Sequence, residues 1–303
     1  MKIFLTGSAS CLGAALLPVL CNDSNITQVT GIDLNPTLFK HPKLNSEILD
    51  IRDEELSTKM AGHDAVIHLA FAVKQQNKSL QEMYDINVRG SSLVVDAAIK
   101  NDIKKFINLS SVSVYGSGEN IDENTPLNPS ATFYYAQHKA EVEKYISQQL
   151  PNAIQLRSHL IIGENAQLFL RQMFKLPIWL KFKEGQTPKQ QVIHEKDVVK
   201  ALMLALKTEI SGAFNLSASD IITITGKYIK ADRKIPSLPF SIIRSCIASV
   251  LKFFKLNDEL VWIEILDTTA TVNCAKAKAL LKWEPSFTAW DARKDAIHSL
   301  VTS

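Results

Sequence analysis

Tyr135 and Lys139 stand four residues apart in the segment YAQHK. On a helix that spacing projects both side chains from one face. An ammonium held there can draw a phenol's pKa from about 10 toward neutrality and make it a general acid or base. Taken alone the pair is also compatible with coincidence, since the chain has six tyrosines to offer. A second group lies at residues 6–13, where TGSASCLG follows apolar KIFL and leads into AALLPVL. A glycine-edged turn between a strand and a helix lets backbone N–H groups approach a pyrophosphate, and the helix N-terminus adds a favourable partial charge. Gly7 suits the tight turn and Gly13 the close helix packing, while Ser10 occupies the place of a middle glycine. Asp33, 20 residues beyond Gly13, ends the next apolar run at the spacing of a ribose-binding carboxylate. Such a carboxylate attracts two hydroxyls and repels a 2′-phosphate, which favours NAD over NADP. A plain strand-to-helix turn, with Asp33-Leu34-Asn35-Pro36 as turn chemistry, accounts for the same residues.

Positioning these groups requires a particular frame. Short β-branched runs KIFLT, QVTGID, EILD, DAVIHLA, KKFINLS and AIQLRS alternate with helix-length stretches through the first half. That rhythm predicts βαβ units and an α/β fold, a Rossmann-type doubly wound parallel sheet. The longest helix is expected over about 79–100, with Asn87 as a polar residue on its apolar face. Past residue 160 the rhythm breaks, and prolines punctuate a more helical stretch. The expected organisation is a dinucleotide-binding domain over 1–160 and a smaller, helix-rich C-terminal substrate lobe over 161–303, interleaved and enclosing a cleft.

Composition narrows the partners. The 303-residue chain carries 34 Lys plus Arg against 31 Asp plus Glu. It has no long run of one sign, so neither a nucleic-acid nor a polybasic lipid surface is expected. Four scattered cysteines without CxxC, and histidines without HExxH, point away from a metal and toward reduced thiols in a cytoplasmic protein. The N-terminal apolar run is too interrupted for a signal peptide. The segment from Pro239 to Phe254 carries Arg244 and Lys252 and is too short to span a membrane. Its residues Ile243, Ile247, Val250, Leu251 and Phe254 share one helical face, suited to packing on its own domain or to lying on a membrane surface.

Read in order, TGSASCLG, Asp33, ILDIRD, HLA at 68–70, Asn87, SSVSVYG at 110–116 and Tyr135-x-x-x-Lys139 make the chain resemble the extended short-chain dehydrogenase/reductase superfamily, in its NAD-dependent epimerase/dehydratase branch. The resemblance runs to about residue 165 and returns in VIHEKDVVKAL and LKWEPSF. It implies Gly7, Ser10, Leu12 and Gly13 as the pyrophosphate loop, Asp33 as the adenosine-ribose ligand, and Asp50 and Ile51 as adenine-side contacts. Leu69 and Ala70 would lie along the cofactor, and Asn87 would match an asparagine of the central helix. Ser111 would hydrogen-bond the substrate oxygen, with Ser110 and Ser113 structural. Tyr135 would donate or accept the proton, Lys139 would bias it and bind the nicotinamide ribose, and Tyr134 would pack or line the substrate site. Members of the family often dimerise through two long helices, which fall here at about 79–100 and 133–150.

Three departures bear on the reaction. The acid-base pair that follows the catalytic threonine in the family's dehydratases is Val112 and Ser113 here, which disfavours dehydration. The asparagine common in its nucleotide-sugar enzymes is replaced by Leu160, and a phosphate-pairing arginine by Gln190, though Lys181, Lys183 or Lys189 can supply charge. His159 is expected to be structural, and His194 and Asp197 to cap and position a helix. Three functions follow: a nucleotide-sugar epimerase in which Tyr135 removes a hydroxyl proton while hydride passes to held NAD and returns to the other face; a dehydrogenase or reductase of a small ketone or sterol-like alcohol, which Leu160 and Gln190 suit better; and a non-catalytic NAD-binding regulator or assembly subunit, against which the intact Ser111, Tyr135 and Lys139 argue.

Overall fold

The computed structural model describes residues 1–73, 78–166, 179–181, 187–223, 237–239, 241–242, 245–246, 249 and 267–298. The apolar face proposed for residues 239–254 and the lysine at 183 lie outside the described residues, as does the side chain of Lys181.

The six β-branched runs and GAFNL at 212–216 fall in the strands β1 (Lys2–Thr6), β2 (Gln28–Asp33), β3 (Leu44–Ile48), β4 (Ala65–His68), β5 (Lys105–Ser111), β6 (Ile154–Ser158) and β7 (Gly212–Leu216). They form one sheet in the order β7-β6-β5-β4-β1-β2-β3, every neighbouring pair parallel. This is a Rossmann-like doubly wound arrangement, and its direction of winding reverses between β1 and β4. The helices are α1 (Cys11–Asn22), α2 (Leu56–Met60), α3 (Leu80–Tyr84), α4 (Ser91–Lys100), α5 (Tyr134–Gln149), α6 (Glu195–Leu206) and α7 (Ala289–His298). Strand alternation sends Ile3 and Leu5 to one face of the sheet, where they join Leu16, Leu20, Leu202 and Phe214. Phe4, on the other face, joins Val66, Val94, Phe106, Val142 and Ile146.

Two elements differ from the sequence expectation for local reasons. β3 starts before the expected EILD run and ends inside it, at Ile48, because Asp50 turns the chain by accepting the Arg52 amide at 2.8 Å. The helix expected over 79–100 is α3 and α4 joined through a π-helical turn, Asp85–Gly90. The wider turn carries Asn87, which is fully buried and binds the backbone of Ala72 with both ends of its amide, at 2.7 and 2.9 Å.

Residues beyond 160 complete the first layer. β7 extends the sheet beside β6, and α6 packs on α1. Trp283, fully buried in the same core, donates its indole N–H to the Asp197 carbonyl at 2.9 Å and ties the C-terminal stretch to α6. Trp283→Ala is therefore expected to cost about 3–5 kcal/mol of the stability of the whole molecule. Urea unfolding should show one transition at a lower midpoint, rather than loss of a separate C-terminal phase.

Candidate active site

At the crevice between β1 and β4 the backbone leaves no room for a side chain. Gly7 has φ +76°, and a Cβ on it would sit 2.6 Å from the Ala70 nitrogen. A Cβ on Gly13 would sit 2.5 Å from the Gly7 and Ser8 carbonyl oxygens, so α1 starts directly against the loop. Ser10 caps α1, its oxygen accepting the Gly13 amide at 3.0 Å. This leaves the Ser10 hydroxyl proton available as a donor. The Gly7 and Ser8 amides bond to Ile32, Ser10 to Gly7, and Ala9 to the Asp33 carboxylate at 3.1 Å. The Leu12 side chain is buried in the core, so only its first-turn N–H can serve an anion. Asp33 thus ends β2 while bracing the glycine loop, and its other oxygen accepts the Asn35 amide at 3.0 Å, the turn chemistry read from the sequence.

The remaining expected cofactor residues line the C-terminal ends of the strands. Leu69 and Ala70 follow β4 and donate their amides to Thr6, at 3.1 Å to its carbonyl and 3.3 Å to its hydroxyl. Beneath them His68 bridges the Thr6 hydroxyl at 2.7 Å and the Ser91 hydroxyl at 2.9 Å. Asp50 pairs with Arg52 at 2.6 Å, and that hydrogen bond holds its carboxyl below the usual range. Ile51 is buried and lies against Gly90, where a Cβ would come within 2.7 Å of its side chain. The residues so assembled fit a dinucleotide: a cradle without Cβ atoms, a helix N-terminus and a carboxylate at the end of β2.

The chemical groups converge from β5 and α5. Ser111 ends β5 and accepts from the Ser113 hydroxyl at 2.9 Å, and the Tyr135 hydroxyl is hydrogen-bonded with Ser111. The ring of Tyr135 meets Phe71 edge-on at 5.4 Å and Phe133 at 5.5 Å. Lys139, 4% exposed, donates to the Leu109 carbonyl at 2.6 Å and lies 3.7 Å over the Phe71 ring and 5.9 Å from the Tyr135 ring. Burial pushes the phenol up to about 12 and the Ser111 bond only moderates this. The expected lowering of the phenol by the lysine is therefore not seen here; burial also brings Lys139 itself down to about 7.

Other expectations resolve by contact. The central helix asparagine, Asn87, reaches His138 at 3.3 Å and so ties the segment after β4 to α5. Tyr134 begins α5 and is half-buried. His159 accepts the Leu160 amide and faces the Ala270 carbonyl at 3.0 Å, and burial lowers it to about 4. His194 caps α6 through the Lys196 amide at 3.0 Å, whereas Asp197 holds the Ser286 and Phe287 amides at 2.8 and 3.1 Å. Gln190 donates to the Thr268 carbonyl at 3.0 Å, Lys189 pairs with Glu119 at 2.6 Å, and Leu160 is 40% exposed. Phe71 and Phe133, which the sequence patterns did not single out, supply the walls around Tyr135. Phe71 stands one residue beyond the HLA motif, and that adjacency is the signal that could have found it.

Among the described residues no cluster of His, Cys, Asp and Glu could hold a metal, and no helix is long and apolar enough to cross a membrane. His68 carries a pH consequence. Burial lowers it to about 3, below the ordinary 6.5, so its contribution is present above the unfolded value and lost as pH falls through the folded one. Stability is expected to fall from pH 6.5 toward pH 4 by up to about 1.4 kcal/mol per unit from this group. Urea midpoints across that range should drop less steeply in His68→Gln than in the parent.

The chain is similar to known proteins. The chain is 33% identical over 163 residues to N-acetyl-alpha-D-glucosaminyl-diphospho-ditrans,octacis-undecaprenol 4-epimerase of Escherichia coli O157:H7, covering 53% of this chain and 47% of that protein. It is 26% identical over 189 residues to a 3-beta-hydroxysteroid dehydrogenase of Mycolicibacterium neoaurum, covering 57% and 51%. The chain thus spans about half the length of these curated relatives. The fold matches UDP-glucose 4-epimerase from Thermotoga maritima with UDP-glucose, TM-score 0.77 at 19% identity, over 100% of this chain and 99% of that one. It matches UDP-glucuronic acid 4-epimerase from Bacillus cereus, in complex with UDP-glucuronic acid and NAD, equally well, TM-score 0.77 at 20% identity over 100% and 99%. The family model for the NAD dependent epimerase/dehydratase family matches residues 3–217, and the chain belongs to that family.

Proposed function

We propose that the protein is an NAD-dependent epimerase or oxidoreductase of the extended short-chain type, acting at a secondary alcohol or ketone carbon. The single observation that carries this reading is the convergence of Ser111, Tyr135 and Lys139 beside the glycine-edged crevice. Gly7, Ser10, Leu12 and Gly13 would hold the pyrophosphate, Asp33 the adenosine ribose, Asp50 and Ile51 the adenine side, and Leu69, Ala70 and Asn87 the wall along the nicotinamide half. Bound NAD supplies a hydride acceptor and donor. Tyr135 keeps its proton at neutral pH, the state needed to protonate a ketone oxygen, while Ser111 orients that oxygen. In the oxidising direction the phenol must first lose its proton, and a positive charge on Lys139 favours that loss. The rings of Phe71 and Phe133 cover part of the half-buried Tyr135 ring.

A nucleotide-sugar epimerase is the preferred substrate reading, supported by the epimerases among the relatives and by Val112 and Ser113 in place of a dehydratase acid-base pair. A reductase or dehydrogenase of a sterol-like alcohol is the second reading, favoured by exposed Leu160 and by Gln190 at the phosphate-pairing position. In either case residues 1–160 and 161–303 would serve as cofactor and substrate lobes of one folding unit. Leu80, Leu93 and Ile99, each 41–44% exposed on α3 and α4, support a homodimer through these helices. Free cysteines support a cytoplasmic setting.

The purified protein should be tested for co-purifying NAD and assayed at the reduced-nicotinamide absorbance with sugar nucleotides and with ketones. Steady cofactor oxidation excludes the epimerase; sugar interconversion without net oxidation excludes the reductase. Tyr135→Phe is expected to lower turnover at least about 100-fold while leaving NAD affinity within a few fold, and a variant that keeps substantial activity would remove Tyr135 from the mechanism. Asp33→Ser is expected to weaken NAD binding about 10-fold and narrow the preference over NADP, as measured by calorimetric titration of both cofactors.

A further inference from the structure

Behind the lysine lies a layer of buried polar side chains that neither the cofactor reading nor the proton chemistry uses. Glu143 is 2% exposed and follows Lys139 by one helical turn on α5. Its carboxylate receives Arg157 of β6 through both Nε and Nη2, at 2.7 to 3.0 Å. Arg157 also donates to the Tyr115 hydroxyl at 2.6 Å, and Tyr115 donates to Asn215 of β7 at 2.8 Å. Asn215 in turn binds the Ile121 and Asn273 carbonyls at 3.1 and 3.3 Å, outside the main sheet. A buried ion pair of this kind adds little net stability over an apolar equivalent, so its presence calls for another role.

We propose that Glu143 is a positioning residue for Lys139: its buried carboxylate, pinned in place by Arg157, favours the ammonium form of the lysine one turn away. The lysine needs such support. Its neighbours are the Phe71 ring and the Leu109 carbonyl, which offer an ammonium far less than water does. Among the described residues, the other ionisable groups around it are His68 from β4, which burial keeps neutral, and Tyr135 on its own helix, while Arg157 from β6 is bound to Glu143. Glu143 is the negative group in this set, and its field raises Lys139 against the desolvation that lowers it. The Arg157 fork holds the carboxylate through both Nε and Nη2, which restricts its rotamers.

The functional meaning rests on Lys139 belonging to the active site, but the test does not need activity. The full chain is labelled with 13C-lysine, the Lys139 Cε signal is identified by its loss in Lys139→Met, and its shift is followed against pH without substrate or cofactor. In Glu143→Gln the Lys139 midpoint is expected to fall by about one pH unit or more, and in Glu143→Asp, which keeps the charge, to stay within about 0.3 of the parent. Glu143→Gln leaves Arg157 buried without its partner, so the double variant Glu143→Gln, Arg157→Gln is measured beside it and should show the same downward shift with a recovered thermal midpoint. A Lys139 midpoint unmoved in the folded Glu143→Gln or double variant overturns the proposal and leaves the pair a packing feature. Failure of the Tyr135 mechanism would instead appear as activity retained in Tyr135→Phe, with this titration unaffected.

Discussion

The backbone contact between Gly7 and the Leu69–Ala70 segment is the constraint on which the site depends. Two parallel strands, β1 and β4, end side by side where the winding of the sheet reverses, and the loops leaving them run in opposite directions. Their chains approach so closely that a methyl group at Gly7 would collide with the Ala70 nitrogen. Thr6 then receives the amides of Leu69 and Ala70, and His68 carries the connection into Ser91 of α4. A crevice built this way is rigid on both walls, which is what a flat, charged, extended ligand needs.

From that crevice the rest of the chemistry is positioned by packing. Phe71, two residues beyond Leu69, reaches across to both Tyr135 and Lys139. Asn87 holds the backbone of Ala72 and touches His138, so it links the central helix, the segment after β4 and α5. The π-helical turn exists at the place where that asparagine must face inward. An ordinary α-helical register would have changed its direction by the missing residue.

Burial of the phenol and the amine sets the electrostatics of the site. Burial moves the phenol of Tyr135 up and the amine of Lys139 down, each toward its neutral form. The two shifts share a cause, so proton traffic here is governed by whatever charge the site encloses. Ser111 moderates the phenol by hydrogen bonding, and Glu143 moderates the lysine through space. A chain of hydrogen bonds runs through this layer from the Asn108 amide N–H through Gln155 and Glu143 to Arg157, Tyr115 and Asn215, leaving the Asn108 Oδ1 buried without a partner among the described residues.

Much of this was legible in the chain itself. Alternating β-branched and amphipathic runs determine a parallel sheet because buried strands and amphipathic helices have distinct periods; the glycine loop, Asp33, Tyr135 and Lys139 stand out by type and spacing, and Ser111 by the family resemblance. Ser10 was legible as an oddity; the structure makes it the cap of α1. Tertiary structure alone decided the direction of the pKa shifts, because desolvation depends on what packs around a group and not on its neighbours in sequence. It likewise decided the aromatic walls of Phe71 and Phe133, the pairing of Glu143 with Arg157, and the division of labour between His194, which caps α6, and Asp197, which holds a distant turn. Glu143 and Arg157 are separated by a turn and a strand start, and no periodicity links them. They meet because β6 lies beneath α5, a distance relation that only the closed fold creates.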